Sequence, residues 1–208
     1  MPELGLFPLP IVLVPTERIP LHIFELRYRE LVHECVETGG EFGLVLATGD
    51  GAVHEIGTRA SVIEVLEELE DGRINIVVEG HERFRLLELT RGRIFQTGIV
   101  ESVSDNDEPV APEDVARAVE VFRELADVSD SDVDVPEADS PELVWELAAR
   151  VDFGVDPKQE ILSSTSPPQR LKRLIELLET SIEAVRLEQT LRDRAHRNGK
   201  VSPLEGES

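Results

Sequence analysis

Basic and aromatic residues are scarce in these 208 residues, and there is a single cysteine. Lys and Arg number 21 against 43 Asp and Glu, a formal net charge of −22. No stripe of Lys and Arg with interleaved aromatics offsets it locally, so the surface repels a phosphate backbone and nucleic acid is not an expected partner. The acidity has two readings: solubility, as in a salt-rich cytoplasm, or a face that recognises basic segments. One cysteine forbids an internal disulfide, which fits a reducing compartment. No apolar run approaches the roughly 20 residues that span a bilayer. The opening "MPELGLFPLPIVLVP" is apolar, yet it lacks a basic segment, carries Glu3 and is broken by Pro8, Pro10 and Pro15, so it reads as mature sequence rather than a signal peptide. The expected setting is the cytoplasm, with no membrane partner.

Against these absences stands a chain that is 40% hydrophobic, enough for a genuine core in one large domain or two small ones. With aromatics at 4%, that core must be built from Leu, Val and Ile, and each Phe and the single Trp145 takes a large share of its volume.

The first half alternates with the period of β structure. In "ASVIEVLEELEDGRINIVVEGHERFRLLEL" two alternating runs flank Asp71-Gly72, a dipeptide suited to a type I′ hairpin. Ile74, Ile76 and Val78 point to one face, with Arg73, Asn75 and Glu79 on the other. Phe84 and Leu86 are expected to face inward between Arg83 and Arg85, and Phe95, Ile99 and Val103 to repeat the alternation. "FGLVLA" (42–47) has the continuous apolar character of a strand covered on both faces. Before it, Phe24, Tyr28, Leu31 and Cys35 step by four, three and four, which predicts an amphipathic helix over 24–38 closed by Gly39-Gly40. On its wet side Glu25 and Arg29 are placed for an ion pair.

Two acidic, proline-punctuated stretches, "SDNDEPVAPED" and "DVSDSDVDVPEADSPE", read as linkers around a helix over 115–125. Further helices are expected after Ser140-Pro141, after Asp156-Pro157 with Asp156 as N-cap, and after Ser166-Pro167. The last carries a heptad-like stripe of Leu171, Leu174, Leu178, Ile182 and Val185 and could extend roughly 45 Å. The expected partition is a β-rich unit over 1–103, an acidic linker over 104–114, a helical unit over 115–199 with an acidic loop at 127–140, and a flexible tail over 200–208.

Candidate chemistry is thin. His22 and Glu25 are possible zinc ligands, but a site needs three or four, and His33 and Cys35 do not complete the set. Cys35 sits on the apolar stripe near the C-terminal end of its helix, the wrong place for an activated thiolate. His81, flanked by Glu79 and Glu82, has no nucleophile elbow to serve. Gly199-Lys200 lacks the spacing of a phosphate-binding loop. No catalytic, metal or cofactor residue is assigned, and the residues of any peptide-binding surface are unknown at this level.

"LGLFPLPIVLVPTERIPLHIFELRYRELV", "FGLVL", "EIGTRASVIEV", "DGRINIVVEGHERFRLLEL" and "RLKRLIELLE" together resemble the N-terminal substrate-binding domain of the ATP-dependent protease Lon, over about residues 4–190. Leu26 stands where that family often has proline, and the acidic linker is a second departure. The resemblance implies an α+β fold: a twisted antiparallel β pseudo-barrel, PUA-like, with one embedded helix, followed by a helical bundle ending in a long helix. It also implies that "LHIFELRY" is a strand-to-helix packing signature with no catalytic role. A Lon protease needs an ATPase module and a Ser-Lys proteolytic module, and neither pattern occurs in these residues, so the expectation is a stand-alone non-catalytic module. It would bind unfolded or partly unfolded polypeptides or dock on a protease or chaperone. The alternatives are a scaffold that self-associates through the long helix and, third, a small hydrolase. The sequence leaves the oligomeric state open.

Overall fold

In the computed structural model, which describes residues 3–49 and 51–198, the alternating segments form six strands. They are β1 (Glu3–Leu9), β2 (Arg18–Ile23), β3 (Phe42–Leu46), β4 (Ile56–Glu68), β5 (Ile74–Thr90) and β6 (Thr97–Ser102). The sheet order is β2-β5-β4-β3-β1-β6, and β6 also pairs with the second half of β5. The sheet therefore curls on itself, while register shifts in β4 and near Leu86 keep it from being a clean barrel. One pairing departs from the all-antiparallel expectation. β1 and β3 are parallel, with Leu6 opposite Gly43 and Leu9 opposite Leu46, and a parallel pair requires a crossover. The chain makes it through β2 and the embedded helix α1 (Leu26–Thr38).

α1 buries Tyr28, Leu31, Val32 and Cys35 against the sheet and ends at Gly39, whose φ of 64° suits a residue without Cβ. It starts two residues later than expected, so Phe24 is outside the helix, 63% exposed and stacked on His22. The β4–β5 turn also differs from the type I′ expectation. Gly72 is left-handed (φ 78°) but Asp71 is not. The Gly72 amide donates to Leu69 O at 2.7 Å and the Leu69 amide to Arg73 O at 2.8 Å, the pattern of a type I turn followed by a glycine bulge.

The inward set of β5 is the one its period demanded: Ile74, Ile76, Val78 and Phe84 are all buried. The Phe84 ring occupies space left by two glycines, since a Cβ on Gly43 or Gly57 would come within 2.6 or 2.8 Å of it. In β6 the parity is reversed: Val100, not Ile99, is buried. Gly98 shares that inward side, where a Cβ would lie 2.4 Å from Leu86, so the tight β5–β6 approach sets which residues turn in.

The rest is helical: α2 (Pro112–Val128), α3 (Leu143–Ala148), α4 (Val155–Ser163) and α5 (Pro167–Asn198). α2 begins three residues before the expected 115, with Pro112 in its first turn. α3 begins at Leu143, after a turn in which Ser140 Oγ accepts the Glu142 amide. α4 is preceded by Gly154 (φ 80°), so Asp156 falls inside its first turn instead of capping it. α2 and α5 run in the same direction: Arg117 pairs with Glu179, Glu124 with Arg186, and the Val128 carbonyl with Gln189. Leu171, Leu174, Leu178 and Ile182 of α5 are buried with Phe122 and Leu125 of α2, so most of the heptad-like stripe packs within the chain. This cluster takes in Val12, Val14, Leu46 and Ile56 from the β half, so sheet and helices share one core there. Residues 200–208, expected as a tail, lie outside the described residues.

Candidate functional site

The sequence candidates do not converge. His22 Nδ1 meets Asn75 Oδ1 at 2.6 Å across the β2–β5 pair, while Glu25 is paired with Arg27 at 2.7 Å. Glu25 is also not paired with Arg29, whose Nη1 donates instead to the Asp71 carbonyl at 3.2 Å. Among the described residues no group of three His, Cys, Asp or Glu side chains is placed to hold a metal ion. Cys35 is buried in the core of the sheet, and burial, with Glu34 adding to it, pushes its thiol up to about 11. His81 Nε2 and Ser61 Oγ lie 2.8 Å apart, which ties β5 to β4.

Two features outside that candidate set organise the surface. The first is a buried polar clamp between sheet and helices. Arg83 belongs to the alternation expected to face solvent, yet it is buried. Its Nη1 donates to the carbonyls of Leu162 (2.9 Å) and Ser164 (2.6 Å) at the end of α4, and its Nη2 pairs with Asp105. Arg170, in the first turns of α5, donates to both oxygens of the same carboxylate, at 2.7 and 2.5 Å. Both guanidinium groups face the Trp145 ring, 4.3 Å (Arg170) and 5.2 Å (Arg83) from its centroid. Burial would raise the Asp105 pKa, but hydrogen bonds and charge from Arg170 and Arg83 outweigh it and hold the carboxyl below its ordinary range. Burial conversely lowers the Arg83 pKa against the pull of Asp105. Nearby, Lys158 Nζ reaches Glu17 at 2.5 Å, and Gln159 donates to the Ile56 carbonyl at 3.0 Å. Beside the clamp opens a cleft of about 590 Å³ whose walls include Glu79, His81, Glu82, Glu142 and Trp145. Its rim is acidic, and Arg83 and Asp105 on its wall are paired with each other.

The second feature is the outer end of β4. Beyond Val62 its side chains are exposed on both faces, and they are aliphatic as well as acidic: Ile63, Val65 and Leu66, the last 52% exposed, stand among Glu64, Glu67 and Glu68. Two register shifts, at 62/64 and 65/67, twist this stretch. On one side a groove of about 450 Å³ runs between Ile63, Val65 and the end of α1 at Val36 and Gly39. On the other, about 560 Å³ is bounded by Pro20, Leu21, Leu66 and Ile76. A hydrogen-bonded rung crosses the second groove, because Asn75 accepts from His22 Nδ1 through Oδ1 and donates through Nδ2 to Glu67 at 3.1 Å. Phe24 and Leu26 extend the apolar character from the end of β2 into α1. Exposed aliphatics in such a run, rimmed by charge, make this stretch an apolar patch on the surface of the fold. The signal was present in the sequence as a strand with no clean polar side, "VIEVLEELE", where a half-buried strand would alternate.

This architecture is that of known proteins. The model of the ATP-dependent protease La (LON) substrate-binding domain matches residues 3–180. A Lon N-terminal domain protein from Xanthomonas campestris superposes with a TM-score of 0.68 at 28% identity, covering 85% of this chain and 98% of that one. The N-terminal domain of the Mycobacterium avium complex Lon protease shares the fold, with a TM-score of 0.65 at 16% identity over 86% of this chain and 98% of that one. The Lon protease of Rhizobium meliloti (strain 1021) is 28% identical over 202 residues, 90% of this chain but 25% of the relative. Lon protease 1 of Hydrogenovibrio crunogenus is 28% identical over 150 residues, 68% of this chain and 18% of the relative. The chain thus spans a quarter or less of the length of these full-length proteases, and what it matches is their non-catalytic, substrate-binding part. On the family match and the shared fold together, the chain belongs to the LON substrate-binding domain family.

Proposed function

We propose that this chain is a non-catalytic module that binds unfolded or partly unfolded polypeptides, and that the outer end of β4 with its two flanking grooves is the contact surface. The observation that carries this reading is the exposure of Ile63, Val65 and Leu66 on one strand, with a groove on either side. An extended polypeptide has side chains at the spacing of a strand and could place apolar groups in both grooves while its backbone stays hydrated at the rim. The Arg83–Asp105–Arg170 clamp then serves to hold sheet and helices as one body behind that surface. Docking on a protease or chaperone, and a cytoplasmic setting, belong to the same proposal; no described helix is long and apolar enough to cross a membrane. The test is titration of a fluorescently labelled, permanently unfolded protein with the intact chain and with Val65→Ser/Leu66→Ser. Saturable binding at about 10 μM, worth roughly −7 kcal/mol, is expected for the parent and its loss for the variant. No saturable binding by the parent overturns the reading.

A second reading, self-association through α5, has one observation in its favour. Leu187 and Leu191, four residues apart on the helix, are 61% and 54% exposed. Light scattering at high concentration decides it, since a monomer removes the scaffold.

A further inference from the structure

We propose that the segment gripped at the β4 surface is cationic, an extended stretch in which aliphatic or aromatic residues alternate with Lys or Arg. The inference rests on the preceding reading of that surface and adds the chemistry of its occupant. Residues 61–71 contain Glu64, Glu67, Glu68, Glu70 and Asp71 and no Lys or Arg. Cations in the neighbourhood are already committed: Arg73 to Asp71 at 2.8 Å, Arg27 to Glu25, Arg18 to Glu79, and Arg29 to the Asp71 carbonyl. Glu64, Glu68 and Glu70 have no cationic partner among the described residues. On the helices some carboxylates are paired, with Glu124, Glu160 and Glu179 each facing an arginine, while Glu30, Glu37, Glu113 and Glu183 are not among the described residues. What sets the β4 carboxylates apart is that they stand among exposed aliphatic side chains.

This uncompensated charge lies between the aliphatic residues that make the surface sticky. A neutral apolar segment laid over Ile63, Val65 and Leu66 would crowd water away from carboxylates that gain nothing in exchange. An acidic segment would add repulsion. A segment with a period of two turns its apolar groups to one face and its cations to the other, so it can seat the first in one groove and carry the second toward Glu64 and Glu68, and its periodicity and charge both complement the strand. Acidic residues at such a surface also discriminate against acidic polypeptides, including other copies of this chain.

The experiment uses the intact chain and three labelled peptides of equal length, alternating Leu with Lys, Leu with Ser and Leu with Glu. The Leu-Lys peptide is expected to bind about tenfold more tightly than Leu-Ser at low salt, with Leu-Glu weakest. The gap should close by about 0.5 M salt, where exposed charges are screened within a few ångströms. The triple variant Glu64→Lys/Glu68→Lys/Glu70→Lys should reverse the order in favour of Leu-Glu. A control with the same change of net charge placed elsewhere, Glu113→Lys/Glu137→Lys/Asp139→Lys, should keep the parent order. Equal affinity for Leu-Lys and Leu-Ser at low salt overturns the cationic preference and leaves the binding function standing. A parent order retained in the β4 variant, or reversed by the control, also overturns it, because the attraction then belongs to the whole acidic surface. Failure of all three peptides to bind overturns both readings.

Discussion

Arg170 and Asp105, sixty-five residues apart in the chain, meet through two parallel hydrogen bonds of 2.7 and 2.5 Å. The arrangement is the forked pairing in which a guanidinium is most effective, and Arg83 reaches one of the same oxygens from the sheet. Two nearly buried cations share one carboxylate, so that single anion holds the junction of three segments.

Asp105→Asn should therefore cost more than an ordinary surface substitution, about 3 kcal/mol, because it leaves two buried guanidinium groups without a counter-charge. Urea denaturation followed by the fluorescence of Trp145, the only tryptophan and the ring both arginines face, measures it directly. A change within about 0.5 kcal/mol, the size of a surface effect, would mean the clamp is idle.

The same carboxyl gives stability a pH dependence of defined sign. Its folded pKa is lowered, so folding binds the charged form preferentially. That contribution is complete above the unfolded value, about 3.9, and is lost as pH falls through the lower folded value. Thermal midpoints of the parent should drop below about pH 4 more steeply than those of Asp105→Asn, whose acid limb should be shallower.

Phe84→Ala should destabilise by about 3 to 5 kcal/mol, since the ring is fully buried and its cavity is walled by rigid strands. Gly57→Ala tests the other side of the same fit. Its Cβ would lie 2.5 Å from the Leu44 carbonyl oxygen and 2.8 Å from the Phe84 ring, and a loss of about 1 to 3 kcal/mol is expected. Wild-type stability in either variant, read from denaturant midpoints, would contradict this packing.

Cys35 should be inert while the protein is folded. With its thiol pushed up to about 11, the reactive thiolate at pH 8 is on the order of one part in a thousand. Labelling with a maleimide at pH 8 should follow the unfolding curve in urea; rapid labelling of the native protein would show the helix to be loosely seated.

What could be seen beforehand follows from which forces are local. Ile74, Ile76, Val78 and Phe84 were legible because a strand with one wet face writes its period into the sequence. The α5 stripe from Leu171 to Ile182 was legible for the same reason at the helical period. Arg83 was not, since its alternation marks it as exposed and its partners lie at 105, 162 and 164, the first of them inside an acidic stretch with the composition of a linker. Parity in β6 was missed because Gly98 is invisible to a hydrophobic pattern although it decides which side faces Leu86. The Asp71-Gly72 dipeptide placed the hairpin correctly but not its type, for a turn with only one left-handed residue uses the same two letters. The β4 surface was hidden by reading 60–70 as one more alternating run; that "VIEVLEELE" has no clean polar side tells something only once the neighbours that flank it are known.

The pairing of β1 with β6 has a bearing on how the chain acquires its shape. Glu3 meets Ile99 and Gly5 meets Thr97, so the first strand cannot complete its hydrogen bonds until a partner about ninety residues later has been made, some 5 to 20 seconds of translation. During that interval Leu4, Leu6 and Phe7 have no finished cavity to enter. A nascent chain of this protein is thus, for several seconds, the very kind of exposed apolar polypeptide that its finished form is proposed to hold.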